Sequence, residues 1–163
     1  MQLPPDGYRP GVGLMLLDRA GRVWIGRRSD VEGEVWQMPQ GGIEPGETPR
    51  QAALRELVEE VGTSRAVILA ESREWLRYEL PAELAASRWE CRYRGQAQRW
   101  FALGFEGRDA EIDLARHARP EFDAWRWAGL DEVVALIIEF KRPLYERVVR
   151  EFRPVAARRA RGA

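Results

Sequence analysis

The fold of this chain is decided by residues 41–63, which read GGIEPGETPRQAALRELVEEVGT. A glycine-rich loop runs here into a segment with clear helix boundaries. Thr48 is suited to cap the N-terminus, Pro49 to occupy the first helical position, and Gln51 to complete a capping box. Gly62 supplies the stop signal at the other end. The spacing therefore predicts a glycine-rich loop followed by a short, well-bounded helix.

Three glutamates cluster on one side of this predicted helix. At about 100° per residue, Glu56, Glu59 and Glu60 share an arc of roughly 100°. Carboxylates at this spacing repel one another, and a hard divalent cation removes that cost because Mg²⁺ and Mn²⁺ prefer oxygen ligands. A solvated acidic helix face is the plainer alternative for the cluster taken alone. Ala52 falls within the acidic arc, and the opposite, apolar face is expected to consist of Leu54, Leu57, Val58 and Val61.

The composition excludes several classes of protein. The chain has 163 residues, 26 basic and 26 acidic side chains, and a single cysteine, Cys91. One cysteine cannot form an internal disulfide or a multi-thiolate metal site, and zero net charge argues against holding nucleic acid by bulk electrostatics; DNA is not expected as a partner. No apolar run approaches the roughly 18–20 residues of a membrane span, and the N-terminus lacks the pattern of a secretory signal. We therefore expect a cytoplasmic, monomeric protein that grips any nucleotide through a local cluster of cations.

Short apolar segments on either side of the central stretch predict strands. Residues 11–17 and 23–26, separated by a polar turn, are typical of a hairpin. Further strands are predicted at residues 66–70, 74–80, 98–105 and 122–128, and two helices at residues 130–140 and 143–152. The basic tail, residues 155–163, is expected to be disordered, so that residues 1–154 form a single domain. The pattern indicates an α/β or α+β domain.

The central stretch resembles the signature of the Nudix hydrolases, G-x5-E-x7-R-E-U-x-E-E-x-G-U, in which U is a bulky aliphatic residue. The one departure is Thr63 in place of the final aliphatic residue, which puts the local packing in question and leaves the acidic cluster untouched. The positions that agree with the signature are Gly41, Glu47, Arg55, Glu56, Leu57, Glu59, Glu60 and Gly62.

Segments outside the signature resemble one branch of that superfamily, the bacterial RNA pyrophosphohydrolases, also described as dinucleoside polyphosphate hydrolases. The segments that carry this resemblance are residues 7–13, 36–43, 75–81, 98–101, 120–127 and 140–142. The resemblance implies an α/β protein with the Nudix fold, an α/β/α sandwich around a central mixed β-sheet. It also implies Mg²⁺-dependent hydrolysis of a phosphoanhydride bond.

The resemblance assigns the acidic residues to metal binding and catalysis. Glu56, Glu59 and Glu60 are expected to bind two or three Mg²⁺ or Mn²⁺ ions, in part bridged by substrate. Either Glu59 or Glu60 serves as the base that activates the attacking water, and the sequence leaves that choice open. Glu121 is the expected distal carboxylate, although on sequence alone it is only a loop glutamate, and the backbone oxygen of Gly41 is expected to complete the metal shell.

Other residues are expected to support the loop or to bind substrate. Glu47 and Arg55 are expected to pair and hold the loop against the helix, with Gly42 and Gly62 allowing close backbone approach. Phe140 resembles an aromatic side chain that stacks on a base, with the buried end of a helix as the plainer alternative. The full set of expected substrate-binding residues is Arg9, Arg28, Gln40, Tyr78, Phe140 and Lys141.

Three functions remain open from the sequence. The first is removal of pyrophosphate or phosphate from triphosphorylated or diphosphorylated 5′ ends of RNA, which would initiate RNA decay. The second is hydrolysis of dinucleoside polyphosphates such as diadenosine tetraphosphate. The third is a non-catalytic nucleotide- or RNA-binding module, and the persistence of Glu56, Glu59 and Glu60 argues against it.

Overall fold

The computed structural model describes residues 2–89 and 92–162, so Cys91 lies outside the described part. Its strands, β1 to β8, span Tyr8–Leu17, Val23–Arg28, Trp36–Gln37, Gln40–Gly42, Ala66–Glu71, Leu76–Glu79, Gly95–Phe105 and Phe122–Ala128. Its α-helices, α1 to α4, span Pro49–Glu56, Ala82–Arg88, Leu130–Leu136 and Arg142–Ala160. Helix α1 continues into a π-helical turn at Leu57–Val61, and 3₁₀ turns cover Asp109–Glu111, Leu114–Arg116 and Glu139–Lys141.

The strands form one mixed sheet with the central order β3-β2-β1-β7-β5. Strand β1 runs parallel to β7 and antiparallel to β2 and β4, while β6 pairs with β7 and β8 with β2. The predicted hairpin is confirmed, with Leu17 opposite Val23. In its turn, the Asp18 carboxylate accepts hydrogen bonds from the N–H groups of Ala20 and Arg22, at 3.0 and 2.8 Å. The sheet is therefore mixed, as expected.

Two hydrophobic cores lie on opposite faces of the sheet because side chains of a strand alternate in direction. Leu14 and Trp24 belong to the core under α1, whereas Met15 and Ile25 belong to the core under α3 and α4. Tyr145 is fully buried in the second core, and its hydroxyl oxygen accepts a hydrogen bond from the Met38 N–H at 2.9 Å. Helices thus cover both faces, and the predicted α/β/α sandwich is confirmed.

Helix α1 begins and its π-helical extension ends where the sequence predicted. The Thr48 hydroxyl accepts a hydrogen bond from the Gln51 N–H at 3.1 Å, and the Gln51 side chain accepts one from the Thr48 N–H at 2.9 Å. Gly62 ends the helix with φ +83°, which only glycine adopts freely. Thr63 is buried, and its hydroxyl accepts from the Arg65 N–H at 3.0 Å, so the departure from the signature buries no unpaired hydroxyl oxygen.

The buried face of this helix differs from the predicted one. Leu54 is 42% exposed, whereas Ala52 is fully buried and Glu56 is only 7% exposed. Small alanine side chains let the helix axis approach the sheet closely, and that approach turns Glu56 inward. The acidic cluster is therefore not a solvated outer face, and Ala52, predicted within the acidic arc, packs in the core.

The predicted helix at residues 130–140 is divided in two. Helix α3 ends because Ile137 and Ile138 adopt extended backbone, with ψ 147° and 141°. A 3₁₀ turn then carries Phe140 and Lys141 into the start of α4. This break turns the chain so that both side chains reach the same cleft as the loop of strand β4.

The predicted disordered tail is wrong for residues 155–160, which continue helix α4. Arg159 holds this last turn down, since its guanidinium donates hydrogen bonds to the Phe105 carbonyl at 2.5 Å and to the Glu106 carboxylate at 3.1 Å. Ala156 is buried against the sheet. Alanine and arginine are strong helix formers, and these tertiary contacts, which are not visible in sequence, stabilise the segment.

Helix α2 lies in a segment that the sequence predicted only as an exposed stretch after Pro81. None of its residues is buried, and it ends at Arg88 beside the site described below. In residues 2–89 and 92–162, no helix combines the length and the apolar content that a bilayer crossing requires.

Candidate active site

The glycine-rich loop forms the floor of the site. Strand β4 pairs with β1, with Gly41 opposite Val12 and Gly42 opposite Gly11. Gly41 lies directly against the Glu56 carboxylate, so a Cβ at this position would overlap the carboxylate. Because Gly41 has no side chain, the carboxylate of Glu56, a predicted metal ligand, can contact the backbone of the loop.

Arg55 ties the loop to the helix and also neutralises two of the predicted metal ligands. It donates to both oxygens of Glu47, at 2.8 and 2.9 Å, and to the Gly42 carbonyl at 2.8 Å. The remaining Nη1 donates to Glu56 at 2.8 Å and to Glu59 at 3.2 Å. The Glu47–Arg55 pair was expected, and it lowers the pKa of Glu47 to about 2. The contacts with Glu56 and Glu59 were not foreseen, although Arg55 and Glu59 have the four-residue spacing of a helical ion pair.

Glu60 lies deepest in the cluster and is enclosed by other acidic groups. Its Oε2 accepts a hydrogen bond from the Gln40 N–H at 3.2 Å, and its carboxyl group also hydrogen-bonds that of Glu56. Burial, followed by the charges of Glu56 and Glu121, raises the pKa of Glu60 well above its ordinary value. Burial likewise raises the pKa of Glu56. The two carboxyl groups therefore favour a shared proton unless a stronger positive charge is close by.

This donor set fits a hard divalent cation. Within residues 2–89 and 92–162, no three acidic, histidine or cysteine side chains are already gathered as ligands of one metal position. The donors that lie beside one another are nevertheless all oxygens, and the Arg55 guanidinium already supplies part of the positive charge that Glu56 and Glu59 require. Mg²⁺ and Mn²⁺ bind such oxygens and retain waters and phosphates as further ligands.

Glu121 is brought to the cluster by the pairing of strands β2 and β8. Phe122 lies opposite Arg28 in that pairing, and the Ser29 N–H donates to the Glu121 carbonyl at 3.0 Å. The Glu121 charge is among the causes that raise the pKa of Glu60, so Glu121 lies near the cluster. The strand pairing thus brings Glu121 close to residues far away in sequence, and its role as a metal ligand stays a prediction.

A buried network on the substrate side is centred on Gln40. Its amide donates to the Tyr78 hydroxyl at 3.3 Å, and its carbonyl accepts from Lys141 Nζ at 3.1 Å. The Lys141 ammonium also lies 5.0 Å from the centre of the Tyr78 ring, and the Tyr78 and Phe140 rings are 6.0 Å apart. Gln40 therefore links the loop that holds Glu60 to the residues expected to bind nucleotide.

Lys141 is only 2% exposed, and burial lowers its pKa to about 7. The charges of Arg28 and Arg88 lower it further, while Glu121 and Glu60 oppose that shift. Arg28 is itself paired with Asp30, with Nε to Oδ1 at 2.9 Å. A cleft with several cations so close together is suited to a polyphosphate.

Two predicted residues lie at the edges of this arrangement. Arg9 lies over Gly42, where a Cβ would overlap its guanidinium, so it borders the loop on the substrate side. Gly62 does not reach the site, since it packs against the backbone of Asp113 at the far end of the helix. The structure therefore gathers the predicted site residues around one cleft and leaves Gly62 with a packing role. Sequence reasoning missed Arg88, whose only signal is its place in the arginine- and aromatic-rich run at residues 88–94.

Comparison with known proteins identifies the class to which this fold and site belong. The model of the NUDIX domain matches residues 7–148, and the chain belongs to the NUDIX family. The E. coli dihydroneopterin triphosphate pyrophosphohydrolase superposes with a TM-score of 0.65 at 23% identity, covering 88% of this chain and 98% of that one. A C. elegans Ap4A hydrolase binary complex superposes with a TM-score of 0.62 at 18% identity, covering 90% and 98%. At these identities the likeness concerns the fold alone.

Relatives of higher identity define the branch within the family. The RNA pyrophosphohydrolase of Rhodospirillum rubrum is 56% identical over 144 residues, which cover 88% of this chain and 86% of that protein. The RNA pyrophosphohydrolase of Rickettsia bellii is 50% identical over 145 residues, covering 89% of each. The chain therefore falls in the RNA pyrophosphohydrolase branch of the family.

Proposed function

We propose that this protein is a Mg²⁺-dependent pyrophosphohydrolase that removes pyrophosphate, or phosphate, from triphosphorylated or diphosphorylated 5′ ends of RNA. The observation that carries the proposal is that Gln40 hydrogen-bonds both Glu60 of the buried Glu56–Glu60 pair and the Tyr78 and Lys141 side chains, so two groups of residues adjoin each other. The first group suits metal-assisted hydrolysis and the second suits a nucleotide with its phosphates. Relatives named RNA pyrophosphohydrolase at 50–56% identity support the choice of substrate.

The residues of this chain divide the reaction between them. Glu56, Glu59, Glu60 and Glu121, with the Gly41 carbonyl, would hold the Mg²⁺ or Mn²⁺ ions. When bound, these ions lower the pKa of water and stabilise the charge that develops on the phosphates. A water oxygen bonds to phosphorus, the anhydride P–O bond breaks, and the products are 5′-monophosphorylated RNA and pyrophosphate.

Glu60 is better placed than Glu59 to accept the proton of the attacking water. The Arg55 guanidinium already occupies an oxygen of Glu59 at 3.2 Å. Glu60 accepts only a backbone N–H, that of Gln40, apart from its contact with Glu56. A carboxylate held by a guanidinium is a weaker base, because the ion pair stabilises its charged form.

The substrate side positions the 5′ nucleotide. Phe140, which packs beside the buried Tyr78 ring, can hold a base by stacking, which tolerates different bases. Arg9, Arg28 and Lys141 supply the positive charge for the phosphates, and a polyphosphate next to Lys141 raises the pKa of its ammonium. We further propose that the protein acts in the cytoplasm, where removal of the 5′ pyrophosphate starts RNA decay.

Hydrolysis of dinucleoside polyphosphates is the second candidate. The Tyr78–Phe140 pair and its neighbouring cations suit one nucleotide and a phosphate chain, which both substrates contain. These residues contact one nucleotide and its phosphates, so they do not by themselves distinguish RNA from a dinucleoside polyphosphate.

A side-by-side Mg²⁺ assay separates the two candidates. It compares a 5′-triphosphorylated RNA with a single-stranded 5′ end against diadenosine tetraphosphate at low substrate concentration. The Glu59→Gln/Glu60→Gln double variant controls for contaminating phosphatases. Faster turnover of the RNA supports the proposal, preference for the dinucleotide favours the second candidate, and no metal-dependent release from either would indicate a binding module.

A further inference from the structure

A basic, aromatic groove opens beside the catalytic cleft. We name it the α2 groove because Arg88, which lines it, is the last residue of helix α2. The groove has a volume of about 320 Å³. The Trp89 and Tyr93 rings face each other edge to face at 6.0 Å. The residues that line the groove are Arg9, Arg88, Trp89, Arg92 and Tyr93.

The cations of the α2 groove pair with no carboxylate in the part of the chain that the structure describes. Among residues 2–89 and 92–162, Arg9, Arg88 and Arg92 form no ion pair, unlike Arg28 with Asp30 in the adjoining cleft. Arg9 and Arg92 instead lie over aromatic rings, at 5.9 Å from the Trp89 centroid and 5.8 Å from that of Tyr93. Like charges held this close are unfavourable, so the groove is suited to an anionic occupant.

The α2 groove is continuous with the catalytic cleft. Arg9 joins them, because its guanidinium lies over Gly42, next to the glycine that touches the Glu56 carboxylate. At the other side, Arg88 lines the groove, and after burial its charge is one of the causes that lower the pKa of Lys141, so Arg88 lies near the nucleotide side of the cleft. A chain that leaves the cleft in this direction enters the groove.

We propose that the α2 groove binds the ribose–phosphate backbone and one base of the nucleotides that follow the 5′ nucleotide of an RNA substrate. The inference rests on the proposed function, and it extends the part of the RNA that contacts the enzyme beyond the 5′ nucleotide. Interleaved guanidinium groups and aromatic rings are the usual means of holding single-stranded nucleic acid, with cations on the phosphates and rings on the bases. A folded acidic protein partner would not need stacking platforms recessed in a groove of this size.

The test measures how the rate depends on RNA length. Values of kcat/KM are compared for a 5′-triphosphorylated dinucleotide and a 5′-triphosphorylated single-stranded octamer. The Arg88→Gln/Arg92→Gln variant removes two charges from the groove, and Trp89→Ala removes one ring. The matched control is Arg158→Gln/Arg161→Gln, which removes two exposed charges from the C-terminal end of the chain.

We expect the groove variants to lose several-fold more activity on the octamer than on the dinucleotide, which has only one nucleotide beyond the 5′ nucleotide. The loss of one stacked base corresponds to roughly five- to 150-fold in affinity, so about tenfold in kcat/KM is expected for Trp89→Ala. For the double arginine variant, the slope of log kcat/KM against log salt concentration should become shallower by about 0.7 per lost phosphate contact. The control variant should leave the length dependence unchanged.

Other outcomes would overturn the inference. Equal losses on both lengths would mean that Arg88, Arg92 and Trp89 act on the 5′ phosphates or on folding. No loss on either length would leave the groove for another partner, such as a protein. Should the wild type hydrolyse no triphosphorylated RNA, the proposed function fails, and the groove is then tested by fluorescence anisotropy of a 5′-hydroxyl octamer. Binding that Arg88→Gln/Arg92→Gln weakens would support the groove, and no binding would refute it.

Discussion

Replacing Lys141 by methionine is expected to stabilise the fold while impairing the enzyme. The pKa of Lys141 is lowered from 10.5 to about 7 by burial and by neighbouring arginines. Each unit corresponds to about 1.36 kcal/mol, so carrying this side chain costs the folded state roughly 4 kcal/mol at pH 7. Methionine has a similar length and no charge to desolvate.

Part of that gain is offset by lost contacts. Lys141 Nζ donates to the Gln40 carbonyl at 3.1 Å and lies 5.0 Å from the Tyr78 ring centre. Leaving the Gln40 acceptor unpaired costs about 1–3 kcal/mol. The expected net gain in the free energy of unfolding is therefore about 1–3 kcal/mol at pH 7, which corresponds to a rise in Tm of roughly 3–9 °C.

The gain should depend on pH in a defined direction. The lysine of the unfolded chain keeps its proton up to about pH 10.5, whereas the folded one loses it near pH 7. Between these values the unfolded state binds more protons, so wild-type stability rises with pH. The advantage of Lys141→Met is thus largest below pH 7, and by about pH 9 the remaining cost of roughly 2 kcal/mol is cancelled by the lost hydrogen bond.

Urea unfolding at pH 7 and pH 9, followed by tryptophan fluorescence, measures this difference. Arg150→Met, at an exposed position of helix α4, which follows the turn of Lys141, is the matched control and should change stability by less than about 0.5 kcal/mol. A Lys141→Met protein that is less stable than wild type at pH 7, or a gain that does not shrink at pH 9, would refute the reasoning.

Three further outcomes are expected. Glu60→Gln should lower kcat by roughly 10²–10⁴-fold in the Mg²⁺ assay without lowering the urea midpoint, and a near wild-type rate would exclude Glu60 as ligand or base. Phe140→Ala should raise KM for nucleotide-bearing substrates more than for inorganic polyphosphate, whereas equal changes would mean that Phe140 only packs. Gly41→Ala places a Cβ into the Glu56 carboxylate, so we expect a loss of about 1–3 kcal/mol in stability together with most of the activity. Its control, Gly129→Ala, adds a Cβ into open space and should leave the rate within twofold, and similar rates for both alanine variants would contradict the close contact at Gly41.

Several features of the site were predictable because they depend on neighbours in the chain. The Thr48–Gln51 capping box is a local interaction, so residue type and spacing suffice to predict it. The pairing of Glu47 with Arg55 and the clustering of Glu56 and Glu59 also follow from short separations in sequence. The resemblance to Nudix hydrolases added Glu121, which spacing alone could not connect to the cluster.

The errors share a physical origin. Leu54 was expected in the core and Ala52 beside the acidic face, but Leu54 is exposed and Ala52 is buried. A helical wheel shows the periodicity of a helix and does not show which side chains are small enough to let it approach the sheet. The segment at residues 155–160 was expected to be disordered, because the contact that anchors it, between Arg159 and strand β7, joins residues far apart in sequence and leaves no local pattern. Both outcomes depend on what packs against the element.

By itself, the amino-acid sequence determined the boundaries of the signature helix, the candidate acidic ligands and the family of the protein. These depend on short-range spacing, which is the same in any fold that contains the segment. Only the tertiary structure decided that Glu56 is turned inward, that Gln40 links Glu60 to Lys141, and that Lys141 titrates near neutral pH. Desolvation and long-range contacts arise only when distant segments pack together, so no local pattern carries them.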